Sequence, residues 1–167
     1  MERTIFTCSV DRETWKMTGI MFFFLLFYTA FLWMLHSVGW FSLNIAPWLM
    51  TFLCIVVPII IYGIQPRRLV ISDDAIRLEC PFRTKVIPRD AGMEVRRVRD
   101  YDTQFLVRKC GSNGVFGNWG LFGSKRWPRM HFYTKRGQKD WIMLRMGDGK
   151  IYILSPDDSE AFLRIFS

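Results

Sequence analysis

From residue 17 to residue 64 the chain has 48 consecutive positions without a single Asp, Glu, Lys or Arg. No other feature narrows its possible folds as far. All 23 basic and 15 acidic residues, net charge +8, lie in the first sixteen positions or from Gln65 onward. That segregation excludes a single soluble domain. Richness in Phe, Trp and β-branched residues, without heptads or dense cysteine, excludes a coiled coil, a collagen-like repeat, a disulfide framework and a fully disordered chain.

The apolar block divides into residues 17–35 and 45–64, which at about 1.5 Å per residue reach roughly 28 to 30 Å, the thickness of a bilayer's hydrocarbon core. The nine residues between them, HSVGWFSLN, are enough to turn an antiparallel helical hairpin. Asn44 is placed to cap the second helix, Pro47 suits its first turn, and Pro58 should bend it locally. A cleaved signal peptide is disfavoured by Glu2, Asp11 and Glu13 in the preceding segment and by the absence of a small-x-small site after Leu35. Myristoylation needs Gly where Glu2 stands.

Cations set the expected orientation. Arg3, Arg12 and Lys16 precede the first span, Arg67, Arg68, Arg77 and Arg83 follow the second, and the connection carries none. The bias places both termini in the cytoplasm, with residues 1–16 as a cytoplasmic segment, 17–64 as the hairpin and 65–167 as a cytoplasmic domain. Trp33, Trp40 and Trp48 at one end and Trp15 and Tyr62 at the other suit headgroup level. Cys54 lies in a span, and Cys8, Cys80 and Cys110 face a reducing compartment without metal-ligand spacing, so all four read as structural thiols.

Beyond Gln65 the pattern changes to short strand-like segments, at 69–71, 75–80, 84–87, 93–99, 103–109, 129–135, 141–146 and 150–154. Turn residues separate them: Asp73-Asp74, Gly137, and Gly147-Asp148-Gly149. Much of the region therefore reads as an antiparallel meander. In the closing SPDDSEAFLRIF, Ser155 is placed as an N-cap, Pro156 in the first turn and the two Asp at the positive end of a helix. Phe162, Ile165 and Phe166 then share one helical face, suited to plugging an open end of the sheet. The fold class is α+β.

Two N-terminal spans, about seven strands, the stretch GSNGVFGNWGLFG, the strand KIYILS and the SPDD helix start together resemble membrane-anchored bacterial PH-like (pleckstrin-homology-like) domain proteins. The resemblance covers about residues 67–166. It implies a split, bent β-barrel capped by the C-terminal helix, in a multi-pass protein of the bacterial inner membrane. Ser159 departs from the proline expected at its position.

Gly111, Gly114, Gly117, Gly120 and Gly123 recur every third residue in the glycine stretch. Neither GxxxxGK[ST] nor GxGxxG is present, so no phosphate-cradling loop is supported. Two readings stay open. In one the stretch is a folded connection whose aromatics pack onto the domain. In the other Phe116, Trp119, Leu121, Phe122 and Trp127 form an interaction loop that enters the leaflet or grips a partner.

From Gln65 onward there are 20 basic and 12 acidic residues, so the excess charge belongs to the domain. Arg67, Arg68, Lys125, Arg126 and Arg129 are the candidate contacts to anionic headgroups, each worth about 1 kcal/mol near such a surface. Asp73 and Asp74 occupy the first strand turn, where a phosphoinositide pocket of pleckstrin type would want cations. Nucleic-acid motifs are missing. His36 and His131 fall on opposite sides of the membrane, and no GxSxG, HExxH or Cys-His pairing is present, so neither catalysis, metal nor cofactor is expected. The sequence thus predicts a membrane-tethered, non-enzymatic module for a protein partner, membrane lipid or both. The alternative is a structural subunit of a membrane complex, assembled through the hairpin.

Overall fold

A computed structural model describes residues 4–39, 45–113, 116–135 and 140–166. Two long helices come first, α1 (Arg12–Ser37) and α2 (Ile45–Ile64). Both are long and apolar enough to cross a membrane. Their large side chains stand exposed, Phe23 at 66%, Phe27 at 63% and Phe52 at 60%, so neither is the buried core helix of a soluble domain. The helices lie side by side. Trp33 Nε1 donates to Thr51 Oγ1 at 3.1 Å, Thr29 Oγ1 and Cys54 Sγ lie 3.0 Å apart, and the Trp33 and Trp48 rings meet edge to face at 5.0 Å. Such polar contacts matter where no water competes for the groups. α2 runs unbroken across Pro58. Asn44, the expected cap, lies outside the described residues.

α1 begins five residues before the apolar run, because Asp11 accepts from the Thr14 N–H at 2.8 Å and caps it. The segment ahead of it is not a free tail. Thr4–Thr7 forms strand β1 and pairs antiparallel with β2 (Arg68–Ile71). Phe6 and Cys8 point inward and Ile5 and Thr7 outward, a period-two pattern too short to register beside the apolar block.

β1 and β2 continue through β3 (Ala75–Glu79) to β4 (Thr84–Pro88) in a four-stranded antiparallel sheet. The Asp73-Asp74 turn joins β2 to β3 as expected, closed by Ser72 N–H to the Ala75 carbonyl at 2.9 Å. A second sheet has the order β5-β9-β10-β8-β7-β6, built from β5 (Glu94–Arg97), β6 (Val107–Asn113), β7 (Asn118–Gly123), β8 (Met130–Thr134), β9 (Ile142–Arg145) and β10 (Ile151–Leu154). Here the meander expectation fails in one place. β8 and β9 do not pair; β10 inserts between them, antiparallel to β9 and parallel to β8. All four residues of β10 are buried, and a strand apolar on both faces belongs in a sheet's interior. Gly137 lies outside the described residues.

Residues 103–109 are only in part a strand. A 3-10 turn at Asp100–Asp102 precedes them and β6 starts at Val107, so pairing moves into the glycine stretch. Gly111 and Gly120 face each other with φ of +119° and +115°. A Cβ on Gly111 would sit 2.1 Å from the Trp119 carbonyl oxygen, and one on Gly120 2.2 Å from that of Cys110. Glycine is what lets these two backbones pair at all.

The two sheets enclose one core, with Leu69, Ile76, Leu78 and Ile87 against Ile142, Leu144 and Leu154. The six-stranded sheet also buries its far face, where Phe122, Met130, Phe132, Trp141, Met143 and Ile153 are covered by Val98, Leu106 and Trp127. α3 (Ser159–Arg164) seals the first core through Phe162, which is fully buried and meets Phe6 edge to face at 5.4 Å. Its cap is Asp158, whose carboxylate accepts from Ala161 N–H at 2.8 Å, and not Ser155. Ser155 instead accepts from Lys135 N–H at 2.8 Å. Ile165 is exposed, because the helix ends before its face can close over that residue.

Candidate functional site

The glycine stretch folds as the β6–β7 hairpin, and its aromatics divide. Phe122 is 1% exposed within the second core, its ring tilted against that of Phe132 at 4.6 Å. Trp127 covers that core from outside, and its Nε1 donates at 3.0 Å to Asp102. Asp102 is itself fully buried and takes two bonds from Arg96, at 2.7 and 2.9 Å, and one from the Arg99 N–H at 3.0 Å. Burial alone would push this carboxyl up; the bonds from Arg96, Trp127 and Arg99 override it and hold it down at about 2. Asp102 and Trp127 are therefore a structural clasp. Trp119 and Leu121 lie half-buried on β7, on the face opposite Phe122.

Phe116 goes elsewhere. Its ring meets Trp15 at 5.7 Å, Phe22 at 6.0 Å and Tyr62 at 6.3 Å, and its N–H donates to Thr18 Oγ1 at 2.9 Å. Phe116 thus rests on the ends of α1 and α2 that adjoin the domain. It does so at φ +54°, a backbone state that disfavours a side chain, so these contacts offset local strain. A second arm reaches the same place from the β3–β4 turn. Phe82 N–H donates to the Gly63 carbonyl at 2.9 Å, and a Cβ on Gly63 would fall 1.9 Å from the Phe82 ring.

The cations divide as well. Lys125, Arg126 and Arg129 are exposed beyond β7, where Arg126 lies over the Tyr101 ring at 4.8 Å. Arg67 and Arg68 stand at the hairpin base, Arg67 over Tyr62 at 4.5 Å. Between them and α1 opens a cavity of about 390 Å³, lined by Thr7 to Val10, Trp15, Tyr62, Gln65, Arg67, Arg68, Phe116 and Lys135. Lys135 is only 8% exposed. Burial, followed by repulsion from Arg67, lowers its ammonium below the usual lysine range, while Cys8, Cys80 and Asp157 pull the other way. Sequence reasoning missed Lys135, since a lysine at the end of a strand-like segment looks solvated; its burial follows from β1 and residues 8–11 folding across it, with Asp11 N–H on the Lys135 carbonyl at 3.3 Å. Tyr62 and Trp15, read as interface anchors, line the same cavity.

Asp157 does not serve the helix start. Its carboxylate accepts from Thr7 Oγ1 at 2.5 Å, from Ser9 N–H at 2.8 Å and from Ser9 Oγ at 2.7 Å, and its own N–H donates to the Thr7 carbonyl at 2.9 Å. Among the described residues no cluster of His, Cys, Asp and Glu suits a metal ion.

Two apolar helices, two sheets and a closing helix form an α+β arrangement consistent with a PH-like domain. Residues 67–166 match the bacterial PH domain family, and the chain belongs to it. No curated protein and no solved structure matches the chain. β1, the two long helices and the N-terminal wall of the cavity all lie outside the matched residues.

Proposed function

We propose that α1 and α2 cross the bacterial inner membrane as a hairpin with both ends cytoplasmic, and that the PH domain is a non-enzymatic module held at the inner leaflet to bind its anionic surface, a protein partner or both. The family suggests a binding module. One observation carries the rest: the hairpin is inserted between β1 and β2, two strands paired residue for residue from Thr4 opposite Ile71 to Thr7 opposite Arg68. A domain stitched to the membrane at both hairpin ends keeps Arg67 and Arg68 beside the headgroups.

Hydrogen exchange tests this with the full chain in nanodiscs of phosphatidylcholine alone or mixed with phosphatidylglycerol. Slower exchange around Arg67, Arg68 and residues 125–129 on the anionic discs is expected. Identical exchange on both removes the leaflet-binding role. Purification in mild detergent, with mass spectrometry of co-purifying proteins, addresses the partner. The alternative, a structural subunit assembled through the hairpin, draws support from the exposed Phe23, Phe24, Phe27 and Phe31 on α1, which suit another helix as well as lipid.

A further inference from the structure

We infer that the cavity at the hairpin base is a site for a single anionic phospholipid, its phosphate held by Arg68 and Lys135 and one acyl chain laid along α2. The inference rests on the membrane orientation proposed above. Four observations carry it.

The first is charge without partners. Neither Arg68 nor Lys135 has an ion pair or side-chain hydrogen bond among the described residues, although both line the same cavity. A lysine more than nine-tenths buried keeps its charge at a large desolvation penalty unless an anion joins it. The second is that the nearby carboxylates take their hydrogen bonds elsewhere, Asp157 from Thr7 and Ser9 and Asp11 from the first turn of α1, so Asp157 acts on Lys135 only from a distance and no direct ion pair answers the ammonium among the described residues. Glu79 lies opposite Arg68 in the sheet, and no ion pair joins the two among the described residues.

The third is shape. Tyr62 and Phe116 also line a second, wholly apolar groove of about 440 Å³, completed by Pro58, Ile59 and Phe82 and running along α2. A cationic cavity and an apolar groove that share a wall match a phosphate ester joined to an acyl chain, and match a free anion only in their first half. The fourth is level. Tyr62, an amphipathic ring suited to the interface, lines both compartments, and Trp15, another such ring, lines the cationic one.

The test uses the full chain, delipidated in mild detergent and titrated with phosphatidylglycerol or phosphatidylcholine, with native mass spectrometry counting bound lipid. One phosphatidylglycerol is expected to bind in preference to phosphatidylcholine. Lys135→Met and Arg68→Gln should each weaken it about fivefold, as about 1 kcal/mol per cation implies, while Lys135→Arg retains it. Millimolar inorganic phosphate should leave the bound lipid in place. Equal binding of both lipids by the unaltered chain overturns the inference, even where a variant fails to fold. Displacement by inorganic phosphate overturns it in favour of a free-anion site. Alkaline carbonate extraction of the same protein from membranes separates the two levels: release into the soluble fraction defeats the membrane reading itself, whereas retention with no lipid preference defeats only this site.

Discussion

Cys8 donates its backbone N–H to the Arg67 carbonyl at 2.9 Å across a separation of 59 positions (67 − 8). Everything between them is the helical hairpin and its flanks. The contact extends the β1–β2 ladder by one residue, so the hairpin leaves the domain and returns to it at adjacent points. A PH domain that begins at residue 67 by family match thus draws its edge strand from the other end of the hairpin.

That borrowed strand should be needed for stability. Phe6 is 8% exposed and packs on Phe162, so Phe6→Ala is expected to cost about 3 kcal/mol. Residues 65–167 expressed alone should unfold at lower denaturant than the same residues carrying segment 4–9 fused ahead of them. Equal midpoints would mean that β1 adds nothing.

Asp157→Ala removes acceptors from Thr7 and Ser9, a loss of about 2 kcal/mol for bonds to a charged group. Asp158→Ala removes only the α3 cap and should cost about 1 kcal/mol. Thermal unfolding of the two variants should therefore rank Asp157→Ala lower. The reverse order would return Asp157 to a helix-start role.

The hairpin was legible because 48 uncharged residues admit few alternatives, and α2 begins and ends where its apolar run does. The strands flanked by strong turns, β2, β3 and β10 among them, were legible for the same reason: alternation and punctuation agreed. β1 was not, since four residues carry too little period, and its pairing is with a strand beyond the apolar block. Glycines hid β6 and β7, because their low strand propensity points to loop while cross-strand approach between Gly111 and Gly120 demands them. Of the candidate site, Arg67 and Phe116 were readable by type, but their meeting with Lys135 depends on tertiary contacts that spacing does not encode.

Phe122 and Phe116 should separate cleanly on substitution. Phe122→Ala opens a cavity in the second core and is expected to cost about 3 to 5 kcal/mol. Phe116→Gly loses the ring but relieves the φ of +54°, so the domain should keep its melting temperature within a few degrees while hydrogen exchange rises around Thr18 and Tyr62. A large loss of stability from Phe116→Gly would make that ring a core element.

Asp102 gives a pH dependence with a definite sign. Its carboxyl lies at about 2 in the folded chain against 3.8 as the ordinary value, so folding favours the ionised form. That contribution is present in full above about pH 5 and is lost progressively as pH falls through 3.8 toward 2. Asp102→Asn should destabilise by about 3 kcal/mol at neutral pH, since it removes the buried carboxylate that Arg96 grips with two bonds and leaves it only the half-exposed Glu94 at 3.3 Å. The gap between the two proteins in urea unfolding should narrow as pH drops from 5 to 3. A constant gap would show that the carboxylate's charge is not what holds the clasp.

Single cysteines in a cysteine-free background, labelled with a membrane-impermeant maleimide, probe the topology most directly. Thr4→Cys reports β1, Ser42→Cys the connection between the helices, and Lys125→Cys the exposed end of the domain. Pairing of β1 with β2 requires the first and third to share a side, which in the proposed orientation is the cytoplasm. In intact cells Ser42→Cys should label at once, with Thr4→Cys and Lys125→Cys labelling only after lysis. Labelling of Thr4→Cys and Lys125→Cys from opposite sides of the membrane would contradict the shared sheet and the hairpin inserted within it.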